Sequence, residues 1–77
     1  STEYRSIIEK YKGKTNEKKA AYQRKKAEAE GYYNSWDKNR SVIAKKAEWA
    51  ELLKKNHPVT LFFELNEFGN PVRKKRK

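Results

Sequence analysis

The groups in this chain best placed to do chemistry are its cationic side chains, and the chemistry they offer is the capture of phosphate. Eight Lys or Arg fall between residues 10 and 26 against the single Glu17, the last five residues are all basic, and residues 57–72 contain no Lys or Arg. Each cation that meets a phosphate releases condensed counterion, so about six such contacts give useful, steeply salt-dependent affinity. With a net charge of +10 over 77 residues, a polyanionic partner explains the balance better than solubility alone. The candidate contacts are Lys18, Lys19, Arg24, Lys25 and Lys26 in the first block, Lys38 and Arg40 beyond it, and Arg73, Lys74, Lys75 and Arg76 in the tail. Tyr22 lies inside the first block, and Tyr32, Tyr33 and Trp36 follow it. Any of these rings could stack on an unpaired base, a contact worth about 1–3 kcal/mol. The competing role is the core, which weighs more for Trp36 and Trp49 because large rings are needed there. Asn16, Gln23, Asn34 and Asn39 are the few side chains able to read base edges, and each is equally explicable as a cap or loop residue.

Other chemistries are poorly served. His57 is the only histidine and precedes Pro58, where a capping or loop role outweighs catalysis. Asp37, Glu48, Glu51, Glu64 and Glu67 lack the clustering of a metal-dependent site, and Glu48 and Glu51 are expected to pair with Lys45 and Lys55 along a helix. There is no cysteine, no glycine-rich phosphate loop and no zinc-finger spacing. No enzyme, cofactor or metal is expected.

These groups must be held by a small body. At 77 residues one domain fits, and folding buries only about 60% of the unfolded surface. Leu, Ile, Val and Phe make up about 17% of the chain, a proportion typical of disorder at this net charge. Five Tyr and two Trp restore a core, because aromatic rings bury large areas at little rotamer cost. No apolar run approaches a membrane span of about 18 residues, and the first residues do not resemble a signal peptide. The expected setting is intracellular, in cytoplasm or nucleoid, or in a eukaryotic nucleus, with Ser1 following a removed initiator Met. The sequon Asn39-Arg40-Ser41 would matter only in a secreted protein.

The fold class predicted is mainly α, with three helices followed by a C-terminal β-hairpin. Residues 1–72 form one domain and residues 73–77 a basic tail. Tyr4, Ile7, Ile8 and Tyr11 form a narrow stripe on a first helix over about residues 3–12, ended by Gly13. A second helix runs from Thr15 or Asn16 to Glu30, with Gly31 read as its end. The third, from about Asp37 to Lys55, gathers Val42, Ile43, Ala47, Trp49, Ala50 and Leu53 on one side. Pro58 stops it. Residues 59–65 alternate as a strand with Val59, Leu61, Phe63 and Leu65 inward, while Phe62 and Phe68 lie off that face, either as partner contacts or as cover for the hairpin. Residues 66–70 supply turn chemistry, and Pro71 begins an edge strand.

The order of three helices and a hairpin resembles a winged-helix DNA reader. In such a reader the third helix carries the contacts, yet here Glu48 and Glu51 interrupt its cations, and Tyr32 and Tyr33 stand where a short turn should follow the second helix. The charge map instead makes the second helix the electrostatic element and the tail a second anchor, a phosphate-directed mode with weak base specificity. The expected function is therefore a non-enzymatic nucleic-acid-binding protein in an accessory architectural or regulatory role, such as transcription regulation, with DNA favoured over RNA. The alternatives are an RNA-binding or ribosome-associated protein, and a module that docks by strand addition on the acidic surface of a machine such as RNA polymerase. The tail alone would also suit a nuclear-localisation-like patch or a solubilising end. The first stripe suits either internal packing or a homodimer.

Overall fold

A computed structural model describes the backbone of residues 2–75 and the side chains of residues 4–7, 9 and 15–75. It is mainly helical with a C-terminal antiparallel hairpin, in the order α1 (Thr2–Ser35), α2 (Val42–Lys54), α3 (Val59–Phe62), β1 (Phe63–Leu65) and β2 (Pro71–Arg73). The count of three helices matches the sequence prediction, but their partition does not. The first two predicted helices are one, uninterrupted at Gly13 or Gly31, and α3 occupies the first half of the predicted strand.

Gly31 stays helical because Ala29, Tyr32, Tyr33 and Trp36 around it all belong to or pack against the core, and that packing offsets a glycine cost of about 1 kcal/mol. A Cβ at Gly31 would meet nothing within 4 Å. Gly31→Ala is therefore expected to raise unfolding stability by about 0.5–1 kcal/mol, read from the denaturant midpoint. A destabilised variant would show that the helix does break there.

At about 1.5 Å per residue the 34 residues of α1 span about 51 Å. Its N-terminal half projects from the body, giving extents of 63 × 24 × 20 Å. Tyr4 and Ile7 stand exposed on this projection, whereas Ile8 and Tyr11, the rest of that stripe, lie outside the described side chains. The helix ends where the Ser35 hydroxyl donates to the Tyr32 carbonyl at 2.9 Å, and Asp37 Oδ1 then accepts the Asn39 amide at 2.9 Å. Ser41, not Asp37, starts the next helix, its hydroxyl capping the Ala44 amide at 3.1 Å.

The face that α2 buries differs from the expected one. Lys45, Trp49 and Leu52 point inward, while Ile43 is 83% and Leu53 54% exposed. Trp49 fixes the rotation by meeting Trp36 edge-on at 5.9 Å. Lys45 tolerates burial at 3% exposure because its ammonium donates to the Lys38 carbonyl at 3.2 Å and to Asn70 Oδ1 at 3.0 Å. It is thus not the partner of Glu48, and Glu51 pairs with Lys54 at 3.6 Å rather than with Lys55.

After α2, Asn56 adopts a left-handed conformation (φ 53°), and the His57 amide donates to the Leu52 carbonyl at 2.9 Å. His57 has the capping role expected of it. Its Nδ1 accepts the Val59 amide at 3.0 Å and its carbonyl accepts the Thr60 hydroxyl at 2.8 Å. These bonds turn residues 59–62 into helix, so Val59 and Phe63 are buried four apart and Leu61 faces solvent. Only from Phe63 does the chain extend, with Phe63, Glu64 and Leu65 opposite Arg73, Val72 and Pro71. The turn is closed by Asn66 Oδ1, which accepts the Phe68 and Asn70 amides. Gly69, at φ 76°, supplies the left-handed residue the turn needs. The core comprises Ala29, Trp36, Trp49, Leu52, Val59 and Phe63, with Tyr32, Tyr33, Phe62 and Leu65 around it.

Candidate nucleic-acid interface

At about 100° per residue, Lys18, Tyr22, Lys25 and Lys26 share one face of α1, with Lys19 at its margin and Arg24 on the opposite side. That same face runs into the core at Ala29, Tyr32, Tyr33 and Trp36, which explains why two lysines interrupt its apolar stripe. Above Tyr22 the helix is packed against protein, and at Lys18 it is leaving the body.

The hairpin and α3 complete the surface. Phe62 meets Tyr22 edge-on with ring centroids 5.4 Å apart. One cleft of about 410 Å³ is lined by Lys18, Ala21, Tyr22, Lys25, Leu61 and Phe62. A smaller one of about 160 Å³ is lined by Tyr22, Lys26, Glu30, Phe62, Arg73 and Lys74. Lys74 is fixed there because its amide donates to the Phe62 carbonyl at 3.0 Å. The helical block and the basic arm, more than forty residues apart in the chain, therefore converge on one aromatic pair.

The arginines are engaged elsewhere. Arg73 makes a fork-to-fork pair with Glu30, its Nη2 donating to Oε2 at 2.9 Å and its Nη1 to Oε1, and its guanidinium lies over the Phe63 ring at 5.1 Å. The hydrogen bond from Arg73 holds the Glu30 carboxyl below its ordinary range, with a smaller effect from nearby Lys26. Arg40 reaches Glu48 Oε2 at 2.6 Å, donates through Nε to the Asp37 carbonyl at 3.3 Å and lies 4.6 Å over Trp36. The Arg40 guanidinium beside Glu48 lowers the pKa of that carboxyl, while burial, with help from Glu48, raises that of the Tyr32 hydroxyl. A cleft of about 270 Å³ lies over this group, lined by Tyr32, Ser35, Trp36, Asp37, Arg40 and Glu48. Its one guanidinium is already neutralised, so it offers an anion little.

Of the residues the sequence nominated, the structure brings together Lys18, Tyr22, Lys25, Lys26 and Lys74, while Lys19 and Lys75, next to them in the chain, are exposed and line neither cleft. It sets Arg24 and Lys38 apart and occupies Arg40 and Arg73 with carboxylates. Arg76 lies outside the described residues. Among the described residues, Lys18, Lys19, Lys25 and Lys74 form no ion pair. Trp36 and Trp49 are in the core as expected, and Tyr32 and Tyr33 are half-buried against it, the latter stacked on Phe63 at 4.6 Å. Tyr22, at 43% exposure, is the one ring of the four that remains open. Leu61 is a functional candidate that strand alternation had concealed by placing it inward, whereas Phe62 already lay off the main apolar face; the helical turn places both beside α1.

Among the described residues no group of three or more His, Cys, Asp or Glu could hold a metal ion, and no helix is long and apolar enough to cross a membrane. No protein-family model, curated protein or solved structure matches this chain.

Proposed function

We propose that this chain is a non-enzymatic nucleic-acid-binding protein that holds the phosphate backbone with one face of α1 and the C-terminal arm. The observation that carries the reading is the convergence of Lys18, Lys25, Lys26 and Lys74 on an exposed tyrosine, where most of these ammonium groups lack an internal carboxylate. Positive charge on a protein is ordinarily interspersed with acid. Here Glu28 and Glu30, on the turn that follows Lys25 and Lys26, point their carboxylates at His57 and Arg73. DNA stands ahead of RNA because a long helix bearing cations at helical intervals suits an extended backbone better than the folded loops most RNA recognition uses. Few amide side chains are available to read bases, so the role is accessory, architectural or regulatory, with modest sequence preference.

The test is equilibrium binding of the full chain to duplex DNA, single-stranded DNA and structured RNA across a range of salt. With Lys18, Lys19, Lys25, Lys26, Lys74 and Lys75 in contact, the expected slope of log K against log salt is about −4 for a single strand and about −5.5 for duplex DNA. Affinity should then fall about 300-fold for the single strand and about 2000-fold for the duplex between 50 and 200 mM salt. Negligible binding to all three at low salt would reject the proposal and turn attention to an acidic protein partner. A clear preference for RNA would keep the mode and change the substrate.

A further inference from the structure

Tyr22 and Phe62 are more than packing at the edge of the core. Their edge-on pair stands as a ridge shared by two clefts, since both residues line the 410 Å³ and the 160 Å³ cavity. The larger cleft falls within the range of about 300–1000 Å³ common for small-ligand sites. Its floor is apolar, from Ala21, Leu61 and the two rings, and its charged lining residues are two lysines with no acid between them. In the smaller cleft Glu30 and Arg73 neutralise one another, leaving Lys26 and Lys74 as the charges that face outward.

An apolar, ring-lined floor with ammonium groups on both sides is complementary to a flat apolar group carrying negative charge on both sides. A nucleotide within a strand has that form, with its base between two phosphates. A base paired within a duplex keeps both faces stacked on its neighbours and cannot present one to a tyrosine. We infer that the Tyr22–Phe62 ridge takes an unpaired nucleotide, its base against the rings in the Lys18–Lys25 cleft and its flanking phosphates on Lys18, Lys25, Lys26 and Lys74. The inference rests on the nucleic-acid reading above and specifies its form: the strand is single at this point. Trp36, Trp49 and Phe63 are buried and Tyr33 is stacked on Phe63, while Tyr4 and Phe68, though exposed, line neither of these lysine-bearing clefts, and the cleft beside Tyr32 has its one guanidinium paired with Glu48.

The experiment measures the affinity of the full chain for an oligothymidylate strand, for the same strand in duplex with its complement, and for an abasic strand of equal length. The abasic strand retains the phosphates and lacks the bases. The thymidylate strand is expected to bind about 5- to 150-fold more tightly than the abasic one. Tyr22→Ala should remove that difference while leaving the salt slope unchanged, and Tyr22→Phe should preserve it. Phe62→Leu, which retains apolar volume, provides a second variant should Tyr22→Ala fail to keep its tertiary near-ultraviolet signal, and it is also expected to narrow the difference. Equal affinity for thymidylate and abasic strands, or a tighter duplex complex indifferent to Tyr22→Ala and Phe62→Leu, overturns the inference and leaves phosphate binding intact. Absence of binding to every probe at low salt overturns both.

Discussion

Reversing two charges, Lys18→Glu with Lys25→Glu, is expected to cost about a hundredfold in affinity for DNA near 0.1 M salt and to flatten the salt slope by about 1.5–2. The size of the effect follows from position. Both ammonium groups line the larger cleft, seven residues and therefore two turns apart on one face of α1. Each reversal removes a counterion-releasing contact and introduces a carboxylate that repels the phosphate it replaced. The control is Arg24→Glu with Lys38→Glu, which changes net charge by the same amount away from the cleft. A protein that binds through diffuse charge alone would lose equal affinity in both variants, and that result would reject the site while sparing the electrostatics. Undiminished binding after the Lys18 and Lys25 reversals would reject the proposed function outright.

The largest effect on stability is expected from Phe63→Ala, at about 3–5 kcal/mol. Phe63 has no exposed surface, stacks against Tyr33 and carries the Arg73 guanidinium over its ring, so it joins α1 to the hairpin. Natural domains carry only about 5–15 kcal/mol in total, and a chain this short sits toward the lower end. Most of the variant should therefore have lost its tertiary packing at room temperature, seen as collapse of the near-ultraviolet circular dichroism of Trp36 and Trp49. A loss below about 1 kcal/mol in denaturant titration would mean that the core is not organised around this ring.

How much of this was legible in the sequence depends on the range of the force involved. The class of fold, the two core tryptophans, the capping or loop role of His57 and a C-terminal hairpin turning at residues 66–70 follow from local rules of turn chemistry and apolar content. The continuous α1 does not, because a glycine is a local signal and the packing of Tyr32, Tyr33 and Trp36 that overrides it is tertiary. The face of α2 was misjudged for a related reason. Hydropathy counts Lys45 as a surface residue, and only the carbonyl of Lys38 and the amide of Asn70 make its burial affordable. Strand alternation at Val59 to Phe62 failed because His57 and Pro58 begin a helical turn first. As to the site, the lysines were visible as a charge block, but their meeting with Lys74 across Phe62 belongs to the fold. The diversion of Arg40 and Arg73 into carboxylate pairs could not be seen in composition at all.

The projecting half of α1 also bears on how the particle moves through water. A body of 77 residues packed to ordinary density would have a radius of gyration of about 11–12 Å, whereas here it is 18.0 Å with a longest dimension of 63 Å. Friction scales with the swept shape rather than with mass, so a single copy will tumble anisotropically and travel through a sizing matrix ahead of compact standards of its own weight. Early elution is thus a signature of the lone chain, and a second copy joined along the Tyr4 and Ile7 stripe is to be sought by weighing the particle, through light scattering or sedimentation equilibrium.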